Sequence, residues 1–428
     1  MIRKIRRSVV AKNALIYTLF SIINKAIPFL LLPILTSYLS QKDYGYISLF
    51  NSYTQLIAIF VGMNVNSAVS TNFFHLDEQS FKKYLGNAFY IIGFSTVIVI
   101  FIVLFFQKYI QNSFNIPLTW LILGIFVALM MIVTELHLAI WRLRQQSKPF
   151  VVYSLLLTLT NISISLLLII VYELQWEGRL YGILFSFGLF GSVSFFLLVK
   201  TGNAIFSFCK AYIKDAIRLG ISLMPHYLAL WGRTSLELMI ISSLLSVENT
   251  GLYAVGYQFG AIFGILVGAI NTAYAPYQMQ QLKNLSDENR YVLVKHTYLY
   301  FLIIFPSAFV FAGIMKVIFP LMVDIKFQSA EHIIIPITLA YAFQGMYYMV
   351  VNYIFFAKKN YLVSISTTTA LLVQILLLFL FIKSQGIFGV ALAACFSFLF
   401  NFILIWYLGN RITPMPWNLR KRTYFEKN

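Results

Sequence analysis

Charge is scarce in this chain. Only 11% of its 428 residues are Asp, Glu, Lys or Arg, against roughly 25% in an ordinary soluble domain. No globular surface can be built from so little charge. A soluble enzyme, a nucleic-acid-binding protein and a disordered chain are therefore excluded. Cysteine is scarcer still: Cys209 and Cys395 lie far apart and suggest no disulfide framework, metal site or redox motif. No Gly-x-x-x-x-Gly-Lys-Ser/Thr occurs, so an ATPase loop is missing. The adjacent acid pairs are Asp77-Glu78 and Asp287-Glu288, and neither has the Asp-x-Asp spacing of a metal-dependent glycosyltransferase. No cofactor and no metal site are expected.

What the chain has is apolar: 60% of its residues are hydrophobic. They fall in long continuous runs, whereas a membrane β-barrel alternates apolar and polar residues. The expected fold is an all-α integral membrane protein. A span needs about 20 mostly apolar residues, and twelve stretches qualify. The first six lie near 13–39, 44–68, 84–106, 117–141, 150–172 and 179–199. The second six lie near 218–245, 251–276, 293–315, 331–356, 361–382 and 387–408.

The net charge of +18 comes from 32 Lys plus Arg against 14 Asp plus Glu. In a membrane protein such an excess marks cytoplasmic loops rather than a nucleic-acid partner. With the basic start Arg3-Lys4-Ile5-Arg6-Arg7 inside, six cations fall outside: Lys42, Lys108, Arg179, Lys316, Lys326 and Lys383. Lys25 and Arg233 lie within spans, and every other Lys and Arg falls on the cytoplasmic side. Both termini are thus expected in the cytoplasm. The start is no signal peptide, because the apolar stretch behind it is too long.

The two halves resemble each other. Asp43-Tyr44-Gly45-Tyr46 falls on Asn249-Thr250-Gly251-Leu252 at a shift of 206, and Val61-Gly62 falls on Val267-Gly268 at the same shift. A repeat of six spans keeps one orientation, which predicts two six-helix bundles, a tandem parallel repeat, around a central cavity. The expected organisation is a basic N-terminus over 1–12, a first bundle over 13–200 and a cytoplasmic linker over 201–217. A second bundle over 218–408 and a basic tail over 409–428 follow. That tail contains Arg420-Lys421-Arg422 and suits anionic lipid.

The segment Asn13-Ala14-Leu15-Ile16-Tyr17, then Pro33-Ile34-Leu35-Thr36, then Tyr38-Leu39-Ser40-Gln41-Lys42-Asp43-Tyr44-Gly45 resembles the opening of the polysaccharide-export flippases. These are the Wzx type, which moves O-antigen or capsule repeat units. They belong to the multidrug/oligosaccharidyl-lipid/polysaccharide exporter superfamily. Met224-Pro225-His226, Gly251-Leu252-Tyr253-Ala254-Val255 and Ala275-Pro276 add to the likeness. Many relatives carry Asp-Arg where this chain has Glu237-Leu238, with Arg233 one turn earlier. The resemblance implies a bacterial inner-membrane transporter. Its substrate would be an undecaprenyl-pyrophosphate-linked oligosaccharide, carried from the cytoplasmic to the periplasmic leaflet by alternating access. It also implies a polysaccharide polymerase and chain-length machinery as partners.

Such a substrate needs cations for its phosphates, polar or aromatic groups for its sugars and an apolar opening for its tail. A central Lys or Arg costs about 2.5–3.5 kcal/mol to insert, so it faces a cavity or an acid rather than lipid. Lys25 and Arg233 are therefore the pyrophosphate candidates. Arg233 and Glu237 are four apart on one helix face, so an internal ion pair is the alternative. Glu135 and Glu237 are intramembrane carboxylates and hence candidates for proton or Na+ coupling. Glu135 has Lys25 or Arg142 as the alternative partner, and His137 lies beside it. His226 reads as a proton sensor or a hydrogen-bonded packing residue.

Among the amides in the spans, which also include Asn161, the likeness favours Asn24, Asn64, Asn66, Gln258 and Asn271 for the sugar cavity. Pro28, Pro33 and Pro225 bend spans 1 and 7 and are gating candidates. Gly256, Gly260, Gly264 and Gly268 share one face of span 8 and read as close helix packing. Two rivals remain. A drug/cation antiporter of the same superfamily calls for an acidic cavity. An O-antigen polymerase calls for a large outer loop with arginines.

Overall fold

The computed structural model describes Asn24, Ile27, residues 29–283 and residues 286–418. Lys25 and Pro28 lie outside the described residues, as do the basic N-terminus and Arg420-Lys421-Arg422. Every regular element among the described residues is helical. Hydrocarbon offers no hydrogen bonds to a bare backbone, so each apolar stretch must satisfy its own N–H and C=O groups by coiling.

The helices are α1 (Leu32–Tyr38), α2 (Gln41–Gly62), α3 (Val65–Asn72), α4 (Glu78–Phe105) and α5 (Gln107–Phe114). Then come α6 (Leu118–Leu143), α7 (Ser147–Leu166) with a π-helical end at Leu167–Val171, and α8 (Gln175–Lys200). Next, α9 (Lys210–Trp231) runs through a π-helical segment, Gly232–Leu236, into α10 (Glu237–Leu244). The last are α11 (Val247–Lys283), α12 (Asp287–Met322), a 3₁₀ segment (Ile325–Ile333), α13 (Ile334–Phe356) and α14 (Tyr361–Ile412).

Among the described residues, eight helices are long and apolar enough to cross a membrane, or nine if α2 and α3, bent by 51°, form one span. The expected stretches within the described residues map onto these elements with local differences; most of the first, 13–39, lies outside the described residues, and the seventh is not among the eight or nine. The 52-residue α14 would run about 78 Å at 1.5 Å per residue, over twice a bilayer core of about 30 Å. Gly386, at φ 56° and ψ −137°, breaks it where spans 11 and 12 are expected to part. Span 2 is broken at Met63 and Asn64, both left-handed, at φ 42° and 52°. The seventh stretch carries two irregularities, Pro225 and the π segment.

The described chain packs as two compact units. One holds Asn24, Ile27 and Ser37–Gly251. The other holds Phe29–Thr36 and the described residues from Leu252 onward. The expected boundary at 201–217 differs from this division, because α9 and α10 pack against α2, α3, α4 and α5. The segment expected as a linker is fastened too. Ile205 N donates to the Lys82 carbonyl at 2.9 Å. Asn87 Nδ2 donates to the Ser207 carbonyl, and Cys209 N donates to Asn87 Oδ1, both at 2.8 Å. Asn87 thereby satisfies backbone groups just ahead of α9, and the helix begins at Lys210 rather than 218.

The repeat is visible in the packing itself. Ser40 caps α2 in a reciprocal box with Asp43. Its counterpart at the shift of 206, Ser246, accepts from Asn249 N at 3.1 Å. A Cβ on Gly45 would lie 2.1 Å from the Val247 carbonyl oxygen, and a Cβ on Gly251 would lie 1.9 Å from that of Gln41. Residues 41 and 247 match at that same shift, as do 45 and 251, so the two close approaches are reciprocal. Lys42 and Glu248, also equivalent, form an ion pair at 3.9 Å. Only glycine lets two helix starts cross with backbones touching.

In the second unit the glycine face of α11 packs as expected at three of four positions. Gly256 and Gly260 meet Ile333 and Ile337, and Gly264 meets Tyr341, while nothing lies within 4 Å of Gly268. Lipid tails compete equally for apolar side chains, so this close approach, rather than apolar burial, holds such helices together.

Replacing Gly251 with Ala forces the crossing apart and is expected to cost about 1–3 kcal/mol or more. Gly268→Ala on α11 meets open space and is neutral or mildly stabilising. Thermal unfolding of the detergent-purified variants measures both. An equal midpoint for Gly251→Ala and the unaltered protein contradicts the crossing.

Candidate functional site

Arg233 sits in the π-helical turn Gly232–Leu236, where Gly232, Thr234 and Ser235 are poor α-formers and the wider turn is accommodated. It is 7% exposed, and Glu237, at the start of α10, is 2% exposed. A row of polar contacts holds this helical stretch within the first unit. Trp231 Nε1 donates to the Ser52 carbonyl at 2.9 Å, and Ser52 Oγ donates to the Ser235 carbonyl at 3.3 Å. Asn115 Nδ2 donates to Ser242 Oγ at 2.6 Å. Arg233 therefore lies between two anchors to α2 and is fixed in depth.

Asn64 is part of the same system. It opens α3 in a left-handed conformation, and its Nδ2 donates to the Gly220 carbonyl of α9 at 3.3 Å. A Cβ on Gly220 would lie 1.9 Å from the Met63 carbonyl oxygen, so the break in span 2 is seated on α9. Asn66, two residues on, keeps its Oδ1 buried without a hydrogen-bond partner. Towards the N-terminal end of α9, Asp215 Oδ2 accepts from Tyr84 OH at 2.9 Å and from Asn72 Nδ2 at 3.0 Å. No motif or spacing in the chain marks that triad.

The other expected residues are scattered. Asn24 Oδ1 accepts from Thr158 Oγ1 of α7 at 3.4 Å. Pro33 stands in the first turn of α1, just after a turn at Leu31, where its missing N–H costs little. Pro225 lies inside α9, which continues through it. Glu135 is exposed and pairs with Arg142 Nη2 at 3.7 Å, one of the two partners expected for it. His137 is buried, its ring 3.9 Å from that of Trp141. In the second unit Gln258 holds its Oε1 buried without a hydrogen-bond partner, and Asn271 lies half-buried on α11. Lys25 and Pro28 have no described placement. Arg233, Glu237, Asn64 and Asn66 thus belong to one unit, and Gln258 and Asn271 to the other.

Arg179 reads in the sequence as an outer topological charge. Its Nη1 instead donates to Asn161 Oδ1 at 2.5 Å and to Ser165 Oγ at 2.7 Å on α7. The signal lay in the hairpin. Asn161 faces Ser186, and Ser165 faces Gly182, symmetrically about the turn at residues 172–174.

The fold resembles solved membrane transporters. A multidrug resistance MATE family transporter of the MOP superfamily, in an inward-facing conformation, matches with a TM-score of 0.73 at 13% identity, covering 93% of this chain and 96% of that one. The lipid II flippase MurJ, inward closed, matches with a TM-score of 0.73 at 14% identity, covering 93% and 86%. The chain is thus an all-α, multi-pass membrane protein that shares the fold of these transporters. A family model described as polysaccharide biosynthesis protein matches residues 10–281. A protein of the Lsg locus of Haemophilus influenzae is 25% identical over 361 residues, covering 83% of this chain and 87% of the relative. The chain belongs to the family described as polysaccharide biosynthesis protein.

The Asp215 triad gives a stability test. Tyr84 is 1% exposed, so Asp215→Ala strands a buried hydroxyl and is expected to cost about 1–3 kcal/mol. Tyr84→Phe leaves Asp215 with Asn72 and is expected to cost about 1 kcal/mol. Asp215→Ala should therefore lower the thermal midpoint more than Tyr84→Phe, and the reverse order refutes the triad as an anchor of α9.

Proposed function

We propose that this protein is a flippase. It carries an undecaprenyl-pyrophosphate-linked oligosaccharide repeat unit from the cytoplasmic to the periplasmic leaflet of the bacterial inner membrane, with both termini in the cytoplasm. The observation that carries the reading is Arg233, a guanidinium 7% exposed in the π-helical turn that joins α9 to α10, the stretch expected from the sequence as span 7. Arginine grips phosphate with two parallel N–H donors. A buried cation fits an anionic head group better than the cationic cargo of a drug antiporter. Membership of a polysaccharide biosynthesis family supports the same substrate class. The likeness to a lipid II flippase supports a fold able to move a lipid-linked head group.

In this reading Lys25 supplies a second cation to the pyrophosphate. Asn24, Asn64, Asn66, Gln258 and Asn271 meet the sugars. Pro28, Pro33 and Pro225 let spans 1 and 7 bend during alternating access, while the lipid tail stays in the bilayer. Proton or Na+ binding at Glu237, with Glu135 as the second carboxylate, drives the cycle. Newly exposed repeat units pass to the polymerase and chain-length machinery.

Lys25→Ala or Arg233→Ala is expected to abolish surface polysaccharide while leaving protein levels unchanged. In the deletion strain a single lipid-linked repeat unit should accumulate on the inner leaflet. Units that have crossed but remain unpolymerised would instead make this chain a polymerase. Normal polysaccharide in both Ala variants would remove the cations from the mechanism.

A further inference from the structure

A cation near a helix end normally snorkels outward to water. Arg179 does the opposite. It stands in the second turn of α8, yet its guanidinium reaches Asn161 and Ser165. These lie about ten and six residues before the end of the π-helical turn at Val171, hence about 15 and 9 Å along the helix at 1.5 Å per residue. Asn161 is 8% exposed and Ser165 1%. The pocket that receives the guanidinium is neutral. Glu177, the nearest acid in sequence, accepts from Trp120 Nε1 at 3.5 Å instead, and none of the ion pairs among the described residues includes Arg179. Among the described residues the charge is therefore oriented but not neutralised.

The site continues along α7. Thr158 and Ser154 follow Asn161 on the same face at helical spacing. Thr158 reaches Asn24, and Ser154 is 6% exposed with its Oγ unpartnered. Arg179 itself is half-buried, and none of its nitrogens is both sealed and unsatisfied. Among the described residues its remaining N–H groups donate no further hydrogen bond. An uncompensated guanidinium costs several kcal/mol in a low-dielectric setting, a cost that a bound anion removes.

We propose that Arg179, held by Asn161 and Ser165, is a second oxyanion-binding subsite within the first unit, distinct from Arg233. It receives either the pyrophosphate of a lipid carrier or the carboxylate of an acidic sugar. The proposal rests on the reading of the cargo as a lipid-linked anion.

The test is calorimetric titration of the purified full chain in nanodiscs with farnesyl pyrophosphate, inorganic pyrophosphate and N-acetylneuraminate. Asn161→Asp keeps Arg179 and gives it an ion-pair partner, so a merely structural pin would hold as well or better. As an anion site it would be blocked. Asn161→Asp and Arg179→Gln are expected to weaken at least one probe tenfold or more, and Arg179→Lys is expected to stay within about threefold, with thermal midpoints unchanged for Asn161→Asp. Loss with both pyrophosphates names the carrier as the source, and loss with N-acetylneuraminate alone names an acidic sugar. Unchanged affinities in Asn161→Asp overturn the subsite. Arg233→Gln, run alongside, separates the two claims. If it alone abolishes binding, the subsite fails while the proposed function stands. If Asn161→Asp alone does so, the subsite stands and the role given to Arg233 fails.

Discussion

A polar group inside hydrocarbon must find its partner within the protein, and most of this structure follows from that constraint. It forces the long apolar runs to coil. It also decides where irregular backbone is tolerated. The break at Met63 and Asn64 survives because Asn64 reaches the Gly220 carbonyl and α9 lies against it. The π turn at Gly232–Leu236 survives between the Trp231 and Ser235 contacts to Ser52. Each of these departures from a plain helix is buttressed by a neighbouring helix, and each brings a polar side chain to a fixed depth.

The same constraint shapes the charges. Most of the +18 excess is expected from orientation and says little about cargo. The informative cations are those drawn into the helices: Arg233 in its π turn and Arg179 against Asn161 and Ser165. Around them stand hydroxyls, amides and few carboxylates, a setting that suits the anionic cargo proposed above. Glu237, 2% exposed and four residues from Arg233, is the exception, and the proposed function uses it as the ion-coupling carboxylate.

Much of the fold was legible beforehand, because hydrophobic runs and a repeat at a constant shift are one-dimensional signals. The match of Gly45 to Gly251 belonged to that repeat, and the structure adds that these two glycines face each other's helix starts. What escaped was tertiary. The α9 helix begins at Lys210 because Asn87 caps the segment before it, a contact between residues about 120 positions apart. Arg179 reads as a loop charge until the α7–α8 hairpin register sets Asn161 and Ser165 beneath it. A charge near a span end looks alike in sequence whether it turns toward water or into the protein.

The central claim is movement of a pyrophosphate-linked glycolipid between leaflets. Its most direct test uses proteoliposomes of the purified chain with a fluorescent undecaprenyl-pyrophosphate oligosaccharide in both leaflets and a membrane-impermeant quencher outside. A transporter of this cargo exposes nearly all of the fluorophore to quenching, and faster under an ion gradient. Quenching that stops at about half, as in protein-free vesicles, would contradict the account.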